Sequence, residues 1–332
     1  MPYFASQSNI KDLFEKLYLW QQKNKKSIAR ILQLLVFIGM TLVFYHQFQT
    51  IFHHNHWNDW QAIDLRSHWY LLLLSILLMP CNWLLEICRW NINSKRTALY
   101  QWKNQWKLIW KSLSISFFLP NRLGEYSSRL FLVEKSERLR SAEALFLSSI
   151  SQWSVIGWLC LSACLWAQRN RVPEVFILLS LISLLFCLFI WRAKNWKPGL
   201  AWLHKWLSEL QINHLTASDF FKSFMLTLLR NLVFILQFYL LLLILIPELT
   251  VKDAYIIISI LFFCQSFFPV LPASGLIIRG SLSLWITGIY FEGAAQLTAY
   301  QMGFLSSSLL LWFINVLVPA CMGSFFFLNF KK

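Results

Sequence analysis

The sequence predicts an all-α integral membrane protein, and three observations carry that prediction. Apolar residues make up 57% of the 332-residue chain and charged ones 14%, and the apolar residues fall into blocks of about 20, the length of helix that crosses a bilayer. Aromatic residues gather at the block ends, as at Trp57, Trp60, Trp69, Trp90, Trp102, Trp106, Trp191 and Trp196, where amphipathic rings sit at headgroup level. Two further apolar segments, 107–133 and 253–290, are interrupted by proline, glycine and arginine. The expected architecture is six full transmembrane helices plus two re-entrant broken-helix hairpins in an inverted 3+3 repeat.

The charge balance of +15 would suit an acidic partner, but no polar globular stretch is present to carry a nucleic-acid surface, so the Lys and Arg are assigned to the membrane side and nucleic acid is not expected. Seven cysteines lie inside apolar blocks without C-x-x-C pairs or neighbouring His. They predict packing roles, and neither a disulfide framework nor a metal or cofactor site is expected. The N-terminus lacks a short apolar core followed by a small-residue cleavage site, so the first span is expected to remain as an anchor.

In chain order, residues 1–27 place Ile10, Leu13, Phe14 and Leu17 at helical spacing among Lys11, Asp12, Glu15 and Lys16, with a basic run behind them. That pattern predicts an amphipathic helix on the cytoplasmic membrane surface. The first transmembrane repeat occupies 28–167 and opens with a span at 28–48. His53, His54 and His56 follow in a polar loop, read as solvated chain rather than a metal site. The second span, 68–90, ends in Glu86 and Arg89, which are spaced to pair on one helix face. Two readings stay open for them, an ion pair snorkelling at the interface or part of a polar path.

The interrupted segment 107–133 contains LPNRLGEYSSR. A continuous membrane helix could not hold that charge and a Pro-Gly break without large cost, because ions and unpaired backbone groups are expensive in hydrocarbon. The break predicts a fresh helix N-terminus near Gly124, whose dipole, with Arg122 and Arg129 nearby, would seat a phosphate or carboxylate. The third span, 142–167, carries Ser148 and Gln152 one turn apart, a polar stripe facing other helices.

The second repeat occupies 168–327. Its first span opens on Pro173-Glu174, with proline tolerated at the first helical position and an acid suited to the dipole there. Ser218-Asp219 is the expected cap of a span reaching Leu245. Arg230 and Asn231 fall in the middle of that span, where an arginine has no aqueous edge to reach and must face a partner or a wet cavity. Residues 253–290 repeat the interruption with Pro269, Pro272, Ser274, Gly275 and Arg279, Ser274 being placed to cap a new helix. A rival count has 255–270 and 276–290 each crossing fully. The last span, 296–327, holds Asn315 and three consecutive serines, and 328–332 form a cytoplasmic tail.

With both interrupted segments re-entrant and the N-terminus inside, 24 of the 30 Lys and Arg fall on one face. The positive-inside rule then puts both termini in the cytoplasm. Three spans and a hairpin per half, inverted, is a plan found among transporters, whose sites form where discontinuous helices meet near the midplane.

The run Pro120-Asn121-Arg122-Leu123-Gly124-Glu125, followed by Arg129, resembles the P-G-R-x-G-E…R signature of the lysylphosphatidylglycerol synthase transmembrane-region family, the membrane part of bacterial aminoacyl-phosphatidylglycerol proteins. Arg89-Trp90 and Pro272…Gly275…Arg279 look like further landmarks. Asn121 stands where glycine is usual, and Gly280 stands where the family commonly has Glu. The resemblance implies a flippase-like domain of a bacterial cytoplasmic (inner) membrane, with a membrane phospholipid or lipid-linked phosphate as partner. It does not imply an enzyme, since aminoacyl transfer in two-part members belongs to a separate soluble domain.

The residues expected to bind the headgroup are Arg122, Gly124, Glu125, Arg129, Arg230, Ser274, Gly275 and Arg279. Glu86, Arg89, Gln152, Asn231 and Asn315 form a secondary polar path. Glu125 could pair Arg129 one turn on, or attract a cationic headgroup. Two other classes explain less of the sequence: an accessory or structural membrane subunit, which leaves interior arginines unexplained, and an intramembrane transferase on lipid phosphates, which would want paired carboxylates that the sequence lacks. Homo-oligomerisation or a partner membrane protein stays open.

Overall fold

The computed structural model describes residues 42, 45, 68–94, 102–116, 121–167, 172–193, 216–268 and 272–328, the side chains of 102–104, 121–126, 189–193, 272–274 and 325–328 excepted. The surface helix expected in 1–27, the first span and the His53-His54-x-His56 loop lie outside the described residues. All regular structure among the described residues is helical. In chain order the helices are α1 (Trp69–Asn93), α2 (Trp102–Ser116), α3 (Asn121–Leu132), α4 (Arg138–Trp166), α5 (Glu174–Ala193), α6 (Ala217–Leu245), α7 (Val251–Gln265), α8 (Pro272–Tyr290), α9 (Leu297–Trp312) and α10 (Val318–Leu328). A 3₁₀ turn, Lys135–Glu137, precedes α4, and a π-helical turn, Phe313–Leu317, joins α9 to α10.

Among the described residues four helical stretches are long and apolar enough to cross a bilayer: Trp69–Asn93, Lys135–Trp166, Ala217–Leu245 and Leu297–Ser324. Glu174–Leu188 and Gly275–Tyr290 are apolar but shorter. The distribution of side chains suits lipid rather than water. Leu73, Leu74, Leu77, Leu178, Leu185 and Phe186 face outward, whereas Asn82, Glu86, Arg129, Gln152 and Gln237 point inward. In lipid an exposed leucine costs nothing, while a polar group is stable only where another polar group meets it.

Local chemistry sets the helix starts. Thr216 caps α6 in a capping box: its Oγ1 accepts from the Asp219 N–H at 3.1 Å, and the Asp219 carboxylate accepts from the Thr216 N–H at 3.3 Å. The cap is therefore two residues earlier than the expected Ser218, because Thr216 is the residue with extended backbone. Thr250 caps α7 through the Asp253 N–H at 3.1 Å. Helix α4 starts at Arg138, directly after the 3₁₀ turn and four residues before the expected start of the third span at 142. Helix α3 starts at Asn121, three residues before the expected N-terminus at Gly124, and α8 starts at Pro272, a residue whose missing N–H is no loss in a first turn.

Packing brings distant segments together. Helix α1 lies along α6, α4 along α5 and α6, α8 along α9, and α7 against α4, α6 and α8. Helix α2 packs on α3 and α10. The α2–α10 contact is close because Gly323 has no side chain: a Cβ there would collide with the Trp110 carbonyl oxygen and with Ser114 Oγ. That approach lets Ser114 Oγ donate to the Ala320 carbonyl at 2.8 Å, the type of small-residue, hydrogen-bonded contact that joins helices where lipid offers no hydrophobic drive.

Candidate functional site

Helix α1 carries Ser75, Asn82, Glu86, Arg89 and Asn93, spaced by seven, four, three and four residues, so they share one face. The stripe runs for about 27 Å at 1.5 Å per residue, close to the hydrocarbon thickness of about 30 Å. Asn82, Glu86, Arg89 and Asn93 find side-chain partners on other helices, and at Ser75 it is the backbone carbonyl that is met. Near one end, Gln237 of α6 accepts from Asn82 at 3.0 Å and from Asn315 at 2.9 Å, and donates to the Ser75 carbonyl at 2.7 Å. Asn315 sits in the π-helical turn, the kind of local irregularity that re-aims one side chain within a helix. At the other end Asn93 donates to Ser148 at 2.7 Å and Ser223 at 3.2 Å.

Between these neutral groups lies an ionic cluster. Glu86 is fully buried, and its two oxygens take three guanidinium groups: Arg89 at 2.6 Å, Arg129 at 2.7 Å and Arg230 at 2.8 Å. Arg89 also donates to Gln152 at 3.1 Å and Thr227 at 3.3 Å, and Gln152 donates to Asn231 at 3.4 Å. Aromatic faces cover the cations. Arg129 lies 4.9 Å from the Trp90 ring centre, and Arg230 lies 5.7 Å from that of Trp83 and 5.3 Å from that of Phe234. Such contacts offset part of the desolvation cost of a guanidinium.

The cluster borders a cavity of about 270 Å³. Arg89, Arg230 and Arg279 reach it, together with Gln152, Asn231 and Asn315. Both interrupted segments border it as well, the first through Leu113 and Ser116 at the end of α2, the second through Gln265 and Ser266 at the end of α7 and Arg279 on α8. Glu86 and Arg129 stand behind this wall. Arg279 differs from the other three arginines: among the described residues its guanidinium has no ion pair and no hydrogen-bond partner. The Gln265 side-chain nitrogen is likewise buried without a hydrogen-bond partner.

Of the residues expected at the site, Arg230 and Arg279 border the cavity and Arg129 braces it. Arg129 is held by Glu86 of α1, a partner 43 positions away. Among the described residues Gly275 does not border the cavity. The side chains of Arg122, Glu125 and Ser274 lie outside the described part, as do the surroundings of Gly124. Of the residues expected along the secondary path, Arg89, Gln152, Asn231 and Asn315 line the cavity and Glu86 lies behind its wall. Glu86 and Arg89 are both buried inside the bundle, and their helix continues to Asn93.

Asn82, Asn93, Thr227 and Gln237 were missed in the sequence. The polar stripe on α1 was the available signal for the first two; Thr227 and Gln237 stand four and seven residues from Asn231 and Arg230 on α6. Among the described residues no three His, Cys, Asp or Glu side chains come together as a metal set. Comparison with protein-family models, curated proteins and solved structures gives no match.

Proposed function

We propose that the chain is a lipid translocase of the flippase type, which binds the anionic headgroup of a phospholipid or lipid-linked phosphate in the arginine-walled cavity. The observation that carries this reading is an imbalance. Three guanidinium groups hold one carboxylate, and a fourth, Arg279, reaches the cavity with no partner among the described residues, inside a bundle whose outer faces are apolar. Arginine does not give up its proton in proteins, and an unpaired interior cation costs several kcal/mol. An anionic headgroup would offset that cost, and bidentate guanidinium contacts suit phosphate. The apolar part of the lining, including Trp83, Phe234, Phe262 and Leu311, would accept the first carbons of the lipid tail.

In this reading the two interrupted segments are re-entrant hairpins of an inverted repeat, and helix ends on either side of each break border the cavity as the broken helices of transporters do. Both termini are cytoplasmic, in a bacterial inner membrane, and the chain is a member of the lysylphosphatidylglycerol synthase transmembrane-region family without its transferase activity. Arg89 and Arg129, first counted with the cytoplasmic face, belong to the interior; removing them from the charge count leaves the bias in place.

The test is reconstitution. Purified protein in liposomes carrying fluorescently labelled phosphatidylglycerol is expected to move label between leaflets faster than protein-free liposomes, and Arg279→Ala is expected to slow that movement at least tenfold. Wild-type protein that moves no lipid faster than the protein-free control overturns the proposal.

A further inference from the structure

Most polar side chains on the cavity wall already donate to a neighbour. Arg89 and Arg230 hold Glu86, and Gln152 donates to Asn231. Asn231 donates to the Thr227 carbonyl at 2.8 Å, Asn315 to Gln237 at 2.9 Å and Ser266 to the Phe263 carbonyl at 2.7 Å. Arg279, Gln265 and Trp83 donate to nothing among the described residues: the Arg279 guanidinium meets no acceptor, and the Gln265 amide nitrogen and the Trp83 indole nitrogen are buried without one. Trp83 stands with the α1 scaffold, its ring beside that of Trp110 and facing Arg230.

The other two stand on either side of one break. Gln265 is the last residue of α7, and Arg279 lies about two turns into α8, which starts at Pro272. Both border the cavity, α7 and α8 pack together, and the ends of these helices remote from the break are tied by Tyr290 and Asp253 at 2.6 Å. The first break brings no such pair to the lining among the described residues. Its Leu113 is apolar, and the Ser116 hydroxyl donates to the Leu113 carbonyl at 2.8 Å. A buried donor left without an acceptor costs more than an ordinary hydrogen bond contributes, so a pair of them facing one cavity needs a compensating acceptor.

We infer that Gln265 is a headgroup ligand, its amide donating to one unbridged oxygen of the phosphate whose other unbridged oxygen Arg279 takes, so that the anion is seated at the second break. The inference rests on reading the cavity as an anionic headgroup site and deepens it by assigning the seat. The division of labour follows from the chemistry of the two groups. The guanidinium supplies charge and a planar fork. The amide adds a donor without a charge and orients the phosphate. The same two oxygens are offered by a lipid headgroup and by free inorganic phosphate; the apolar wall of Phe234, Phe262 and Leu311 favours the lipid.

The experiment is calorimetric titration of the full-length purified protein in detergent with dioctanoyl phosphatidylglycerol, dioctanoyl phosphatidylcholine and inorganic phosphate, alongside thermal unfolding. Wild type is expected to bind phosphatidylglycerol tightest of the three. Gln265→Met, close in size but without hydrogen-bonding atoms, is expected to bind it about tenfold more weakly, the ratio one hydrogen bond to a charged group supplies, with a melting temperature no lower than wild type. Gln265→Glu places a carboxylate where the amide stood. It is expected to raise the melting temperature and abolish phosphatidylglycerol binding, and to raise the melting temperature no longer when combined with Arg279→Gln.

Phosphatidylglycerol affinity of Gln265→Met within about threefold of wild type, or weaker binding together with a lowered melting temperature, overturns the assignment of Gln265 and leaves the anionic-headgroup reading standing. A Gln265→Glu variant that is no more stable than wild type, or that is stabilised equally in the Arg279→Gln background, overturns the shared seat. Wild-type binding of phosphatidylglycerol no tighter than phosphatidylcholine overturns both the inference and the reading beneath it. Inorganic phosphate binding as tightly as phosphatidylglycerol overturns the lipid as the source of the anion.

Discussion

In the first interrupted segment, α2 and α3 deliver Arg129 onto Glu86, where it is fully buried and bonded at 2.7 Å beneath the Trp90 ring. In the second, α7 and α8 deliver Arg279 to the cavity wall with no carboxylate beside it among the described residues. Each segment has a proline at its break and an arginine seven or nine residues beyond it, yet one arginine belongs to the scaffold and the other faces open space. The difference teaches that an arginine inside a membrane has two stable fates, which the presence or absence of a counter-ion on a neighbouring helix decides. Glu86 supplies that counter-ion for three arginines and leaves none for the fourth.

Removing the shared counter-ion breaks the comparison most severely. Glu86→Ala leaves Arg89, Arg129 and Arg230 buried together without a carboxylate, and is expected to lower stability by about 3–5 kcal/mol or to prevent folding. Thermal unfolding in detergent, or the yield of monodisperse protein where unfolding cannot be followed, checks it.

The two arginines themselves should then separate. Arg129→Met removes one of three cations from Glu86 and is expected to cost about 2 kcal/mol, as for a hydrogen bond between charged groups. Arg279→Met deletes a cation that no described residue offsets, so its melting temperature should equal or exceed that of wild type while anionic lipid binding is lost. Equal destabilisation by the two variants would remove the distinction between a scaffold arginine and a ligand arginine.

The seats of the two segments give smaller effects. Gly323→Ala pushes α10 against the Trp110 carbonyl and Ser114. Backbone there must shift, at an expected cost of about 1–2 kcal/mol, with a matching rise in hydrogen exchange confined to α2 and α10. Tyr290→Phe deletes the 2.6 Å hydrogen bond from the Tyr290 hydroxyl to Asp253 that ties the end of α8 to the start of α7. Its expected cost is about 1 kcal/mol, with lipid binding unchanged; a larger loss of binding would mean that α8 is positioned from this end.

Much of the site was legible before any coordinates. Arg230 in mid-span and Arg279 beyond a double-proline break were marked by depth alone, because a charge far from a membrane edge needs a reason to be there. Ser148 and Gln152 were marked as a stripe facing other helices, and both accept hydrogen bonds from α1. What the sequence hid was the part that Glu86 plays as shared counter-ion. Three residues before Arg89, near the end of an apolar block, it read equally well as half of an interfacial pair. Its two further partners, Arg129 and Arg230, lie 43 and 144 positions away, and no local spacing encodes such a pairing. Gln237 was passed over for the same reason, since its partners Asn82 and Asn315 stand 155 and 78 positions off.

The amino-acid sequence by itself determined the apolar helices, where two of the segments break, and that arginines must lie inside, because hydropathy, proline and charge act over a few neighbouring residues. Which arginine became structural, and which was left facing a cavity, only the tertiary structure decided. That outcome depends on one carboxylate being within bonding distance of three helices at once, and hydrogen bonds and ion pairs fall away within a few ångströms, so only the packed positions of α1, α3 and α6 could select it.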